Sequence, residues 1–209
     1  VGDRWSRNIV SEIKGHQYPE EIVVVGGHID SWDVGQGAHD DGGGCIASWE
    51  VLRLIKELGL KPKRTIRCVL WTNEENGLKG SYAYRDMQMD ELDNHVVAIE
   101  SDAGVFAPEG FGFSGSKDAR KIIENIHELL KPIKANKPTD WGRAADIAIL
   151  NDEGIPAMTL NVDLSKYFWY HHSPADTFDK VDFHEFNKCV AAMTIMAFVI
   201  ADLEQPLPR

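Results

Sequence analysis

The sequence predicts an α/β fold: a three-layer sandwich built on a central mixed, mostly parallel sheet. Short apolar runs of strand length alternate with stretches of helical periodicity, the rhythm of βαβ units. The run Ile22, Val23, Val24, Val25 lacks the polar alternation of a sheet with one wet face, so both of its faces are expected to be covered. Acidic and histidine residues recur at the ends of the candidate strands, where open α/β sheets gather their ligands. With 209 residues, 43% of them hydrophobic, residues 1–209 are expected to form a single domain.

Asn8 to Lys14 and Glu21 to Gly26 read as the first two strands, joined by the turn-like GHQYPE. After Gly42 to Gly44, apolar residues Ile46, Trp49, Leu52, Ile55 and Leu58 recur at helical spacing and stop at Gly59, which predicts a crossover helix with a glycine C-cap. Thr65 to Trp71 reads as a strand, Ser81 to Met89 as a helix, and Val96 to Ile99 as a buried strand ending in ESD. Further on, Lys117 to Leu130 is amphipathic, Asp146 to Asp152 is a short helical segment, and Ala157 to Leu160 is a strand introduced by Gly154 and Pro156. Asp182 with Glu185 forms a capping box that opens a long helix to Glu204, whose apolar face includes Phe183, Phe186, Val190, Met193 and Phe198.

Composition narrows the function. Basic residues number 22 against 33 acidic, a net charge of −11, which repels nucleic acid and anionic membrane surfaces. The longest apolar run, Cys189 to Ala201, is too short for a membrane span, and no secretory signal pattern is visible. Cys45, Cys68 and Cys189 lack CxxC spacing and are expected as buried free thiols.

The chemistry lies in five motifs: His28 in GGHIDSW, Asp40 in GAHDDGGG, Glu74 and Glu75 in WTNEEN, Asp102 in ESDAG, and His172 in HHSPADT. Two imidazoles and three carboxylates suit zinc, and a fourth carboxylate beside them is available as a base; the set reads as a two-zinc hydrolase. Singly, each motif has a plainer reading. A histidine after a strand is usually a loop residue, the glycine run a turn or a phosphate loop, and the Glu pair a solvated surface. No Lys follows in phosphate-loop spacing, however, and two adjacent Glu in a strand-end crevice need a cation or a raised pKa. Asp30 stands two residues after His28, placed to accept a hydrogen bond from its second ring nitrogen. Spacing does not separate His171 from His172. His39, His95, His127 and His184 read as solvent-facing or locally hydrogen-bonded, and Tyr167, Phe168, Trp169 and Tyr170 either line a pocket or cover the core.

Taken in order, the five motifs resemble those of the M28 zinc peptidases, and among them the carboxypeptidase Q branch, over nearly the whole chain. The resemblance implies a zinc aminopeptidase-like fold with two Zn²⁺ per chain: His28 and Asp102 on one ion, Glu75 and His172 on the other, Asp40 bridging, and Glu74 as general base. It favours His172 over His171 as ligand because His172 lies four residues before the Asp of a D-T pair, Asp176-Thr177. His171 occupies the place of a tyrosine that stabilises the reaction intermediate in many relatives, which makes it the candidate for that role. Also implied are exopeptidase action of carboxypeptidase or dipeptidase type on short peptides, a secreted or lysosomal location, a homodimer, and a further N-terminal segment ahead of this catalytic part. The competing expectation is a catalytically silent binding or receptor-like module on the same fold.

Overall fold

The computed structural model describes residue 2 and residues 4–209. Six strands, β1 (Ile9–Ile13), β2 (Tyr18–His28), β3 (Arg64–Trp71), β4 (His95–Glu100), β5 (Pro108–Ser114) and β6 (Ala157–Val162), form one sheet in the order β1-β3-β2-β4-β6-β5. The four central strands run parallel, and the edge strands β1 and β5 pair antiparallel. This is the expected mixed, mostly parallel sheet.

The apolar run of β2 is buried on both faces. Val23 and Val25 join Ile66, Cys68, Val97 and Ile99 beneath α1 (Gly43–Glu57), α3 (Lys117–His127) and α6 (Phe183–Asp202). Ile22 and Val24 face the opposite way, with Val69 and Ala98, toward α2 (Lys79–Met87) and α4 (Ala145–Asp152). Each such aliphatic side chain contributes about 1.5–3 kcal/mol on burial, so a polar residue on either face is disfavoured. All three cysteines are buried and free.

Helix ends follow the local chemistry. At the end of α1, Gly59 has φ +65 and its N–H reaches Lys56 O, while Leu60 N–H reaches Ile55 O, the paired bonds of a Schellman motif. Asp182 caps α6 by accepting from the N–H groups of His184 and Glu185 at 2.8 and 3.0 Å. Among the described residues the Glu185 carboxylate makes no return bond, so the cap is one-sided. By length and composition α6 passes as a bilayer-crossing helix, unlike the shorter run read from sequence, yet Cys189, Ala192, Met193, Met196 and Ile200 lie in the core.

Three expectations are corrected. On α1 the buried stripe is Ser48, Val51, Leu52 and Ile55, while Ile46, Trp49 and Leu58 are exposed, because the helix is rotated to bring its small N-terminal residues onto the sheet. The long helix expected at Lys117 to Leu130 stays α-helical only to His127, then tightens to a 3₁₀ turn over Glu128–Ile133 that contains Pro132. Strand β5 was not anticipated.

Candidate metal centre

Parallel pairing puts the carboxyl ends of β3, β2, β4 and β6 side by side, and the site residues leave from those ends. His28 is the last residue of β2, Glu74 and Glu75 follow β3, and Asp102 follows β4. Asp40 lies in the turn Ala38–Gly42 between β2 and α1, and His172 follows the short helix α5 (Tyr167–Tyr170) after β6. The α1 N-terminus comes close because residue 44 is glycine: a Cβ there would stand 1.9 Å from Ser101 O and 2.3 Å from Asp41 Oδ1.

The structure brings all five donor residues together. His28 Nε2 is 3.2 Å from Asp40 Oδ1 and 3.1 Å from Asp102 Oδ1. On the other side of the same carboxylate, His172 Nε2 is 3.2 Å from Asp40 Oδ2 and 2.9 Å from Glu75 Oε2. Ligands about 2.0–2.2 Å from a tetrahedral zinc stand roughly 3.3–3.6 Å apart, slightly farther than these contacts of 2.9–3.2 Å. Glu75 Oε1 is buried without a hydrogen-bond partner, an orphaned anionic oxygen of the kind a cation satisfies. His28, Asp40 and Glu75 group as a potential cation site, and so do Asp40, His171 and His172. The residues present fit zinc.

The electrostatics of the metal-free chain have the same origin. Burial opposes charge on His28, but its contacts with Asp102 and Asp40 outweigh this and hold the ring cationic well above its usual range. Burial also works against ionised Asp40, whose carboxyl is nonetheless held low by His28. For Glu74, burial, with Asp102, Glu75 and Asp40 nearby, outweighs the pull of His28 and pushes its carboxyl up to about 7. Glu75 is raised by burial and by Asp40.

Surrounding groups fix the donors. His28 Nδ1 meets the main-chain carbonyl of Asp30 at 2.8 Å, not its carboxylate as expected; the carboxylate instead accepts Glu74 N–H at 3.0 Å. One short loop thus holds both the His28 ring and the main chain of Glu74. Buried Asp41, overlooked beside Asp40, accepts His28 N–H at 3.0 Å and Gly44 N–H at 3.1 Å, joining β2 to α1. Asp176, read from sequence only as a spacing marker, accepts His39 N–H and Asp40 N–H. Behind the site, Glu100 and Asp146 are both buried; burial pushes Asp146 up to about 7, and burial with Asp146 raises Glu100. Only the doubled Asp of HDD hinted at any of these.

Of the remaining histidines, His95 and His127 are buried with local hydrogen bonds to Glu91 O and Ile123 O, His39 is buried and bonded to the distant Val105 N–H, and His184 is exposed. The aromatic run divides: Tyr167 joins the core and Tyr170 packs against it, whereas Phe168 and Trp169 are exposed. Trp32, 5.3 Å from the His172 ring, belongs to the crevice that includes Asp40 and Asp176. A larger cavity of about 900 Å³ between residues 4–12 and α2 contains none of the donors.

Comparison with known proteins places the chain in a family and a fold. Residues 8–197 match the model of peptidase family M28. The chain is 47% identical to carboxypeptidase Q of Xenopus laevis, and equally to that of Homo sapiens, over 99% of its own length and 44% of theirs. It therefore spans less than half the length of these curated relatives. The crystal structure of a peptidase M28 precursor from Shewanella amazonensis superposes with a TM-score of 0.91 at 35% identity, covering 97% of this chain and 47% of that one. The zinc aminopeptidase BSAP from Bacillus subtilis shares the fold, with a TM-score of 0.77 at 21% identity over 94% of this chain and 50% of its own.

Proposed function

The chain belongs to peptidase family M28, and on that premise we propose that it forms the catalytic part of a two-zinc exopeptidase cleaving short peptides, of carboxypeptidase or dipeptidase type. The observation that carries the proposal is the two-sided contact of Asp40: its Oδ1 meets His28, whose Nε2 also meets Asp102, and its Oδ2 meets His172, whose Nε2 also meets Glu75. In this reading His28, Asp102 and Asp40 hold the first ion, and His172, Glu75 and Asp40 the second. When bound, such a pair supplies an acidified water and a polarised peptide carbonyl.

The chain's own residues do the rest. Glu74, the carboxylate beside the donor set that is not itself one of the donors, is the group that would accept a water's proton and return it to the leaving amine. Its main chain is held by Asp30, so its reach is fixed. His172 has φ +55, a left-handed turn that brings its ring and that of His171 into a stack with centroids 3.6 Å apart. Both Nε2 atoms face Asp40 Oδ2, at 3.6 Å from His171 and 3.2 Å from His172, and the family resemblance gives the ligand place to His172. With His172 as ligand, His171, 3.6 Å from Asp40 Oδ2, is left beside the reacting carbonyl as the stabiliser of developing negative charge. Retention of the full donor set together with Glu74 weighs against a silent receptor-like module.

Glu74→Gln and Glu75→Gln, assayed side by side for zinc content and dipeptide turnover, test this reading. Glu74→Gln should keep its zinc and lose about 10²–10⁴-fold in turnover. Glu75→Gln should lose metal, since a neutral amide replaces an anionic ligand. Zinc loss in Glu74→Gln with retention in Glu75→Gln would reverse the assignment.

A further inference from the structure

The segment after His172 is laced to the turn carrying Asp40, and one buried side chain makes the tie. Asp176 is 3% exposed. Its Oδ1 accepts His39 N–H at 2.7 Å and its Oδ2 accepts Asp40 N–H at 3.1 Å, so a single carboxylate spans two successive main-chain donors. Its own main chain completes the tie: Gln36 N–H donates to Asp176 O at 2.8 Å, and Asp176 N–H donates to Ser173 O at 3.1 Å. From the exposed side, Gln36 Oε1 accepts Phe178 N–H at 2.8 Å.

The two halves of the metal centre are supported differently. His28 ends a central strand and is held by Asp41 and Asp30, and Asp102 follows directly from β4; neither depends on Asp176. Asp40 and His172 stand on loops, and Asp176 is what joins those loops. Resting on the two-zinc reading, we infer that Asp176 is a positioning residue that sets the second cation site more than the first: Asp40 serves both ions, but His172, on the loop that Asp176 ties down, serves only the second. An outer partner of a metal ligand is typically worth about 10–100-fold in metal affinity.

The test is calorimetric titration of the metal-free chain with zinc alone, comparing wild type with Asp176→Asn. The amide keeps the shape but turns an NH₂ toward one of the two main-chain N–H groups. Wild type should take two equivalents; Asp176→Asn should take the second about 10–100-fold more weakly and the first more weakly by a clearly smaller factor. Two sites of wild-type affinity in the variant, or equal weakening of both, would overturn the inference, the latter marking a merely structural residue. Fewer than two equivalents in wild type would overturn the two-zinc reading itself, and the inference with it. Should Asp176→Asn be unfolded by circular dichroism, Gln36→Ala loosens the same lacing from outside. A selectively weakened second equivalent then supports the inference, and two unchanged equivalents overturn it.

Discussion

Replacing Asp40 by asparagine should remove most of the stabilisation that zinc confers. The two carboxylate oxygens lie 3.2 Å from His28 Nε2 and 3.2 Å from His172 Nε2, so each cation draws one oxygen from this residue. Asparagine keeps the shape, but one oxygen becomes an NH₂ that cannot ligate, and the shared negative charge is lost. A cation present at 100 times its dissociation constant stabilises a folded chain by about 2.7 kcal/mol per site. For a chain of 209 residues each kcal/mol moves the melting temperature by about 2–4 °C. Zinc at that excess should therefore raise the wild-type Tm by roughly 5–11 °C per site and about 10–20 °C for both. Scanning calorimetry of metal-free and zinc-loaded protein measures this directly. Asp40→Asn should show only a small fraction of the shift, and a variant with the full wild-type shift would refute the bridging role.

Two other predictions concern stability. A carboxyl whose pKa is raised by folding contributes stability that is fully present below its unfolded value and lost as pH rises through its folded value. For Glu74 that window runs from 4.5 to about 7, and Glu75 and Asp41 act in the same direction; His28, also raised, loses its contribution above 6.5. The metal-free Tm should thus fall between pH 5 and 8, while the zinc-induced shift grows because the ligands bind deprotonated; a flat or rising metal-free Tm would contradict the site electrostatics. Asp182→Ala removes the acceptor for His184 and Glu185 N–H and should cost about 0.5–2 kcal/mol with zinc binding unchanged, as denaturant unfolding and zinc titration would report.

What the sequence disclosed depended on how local the physics was. The uniform apolar run of β2 announced two-sided burial, and Gly59 and Asp182 announced helix ends, because each acts within a turn of its own position. The five donors were legible because a parallel sheet delivers strand ends to one edge. Strand β5 was hidden by its own composition: PEGFGFS carries Pro and Gly, which disfavour strands, yet Gly112 is required where a Cβ would stand 1.6 Å from Trp141 O. The α1 stripe was misjudged because Ile46 and Trp49 fit the helical period while Gly44 and Ser48 make the close approach to the sheet. Asp176 meets Asp40 N–H across 136 positions and Glu100 meets Ile147 N–H across 47, and no local pattern marks such partners.

Diffraction recorded on either side of the zinc absorption edge, from crystals of the zinc-loaded protein, tests the central claim most directly. Two anomalous peaks should appear on either side of the Asp40 carboxylate, about 3.5–4 Å apart, one beside His28 and Asp102 and the other beside Glu75 and His172. A single peak, or peaks that leave Asp40 outside both coordination spheres, would contradict it.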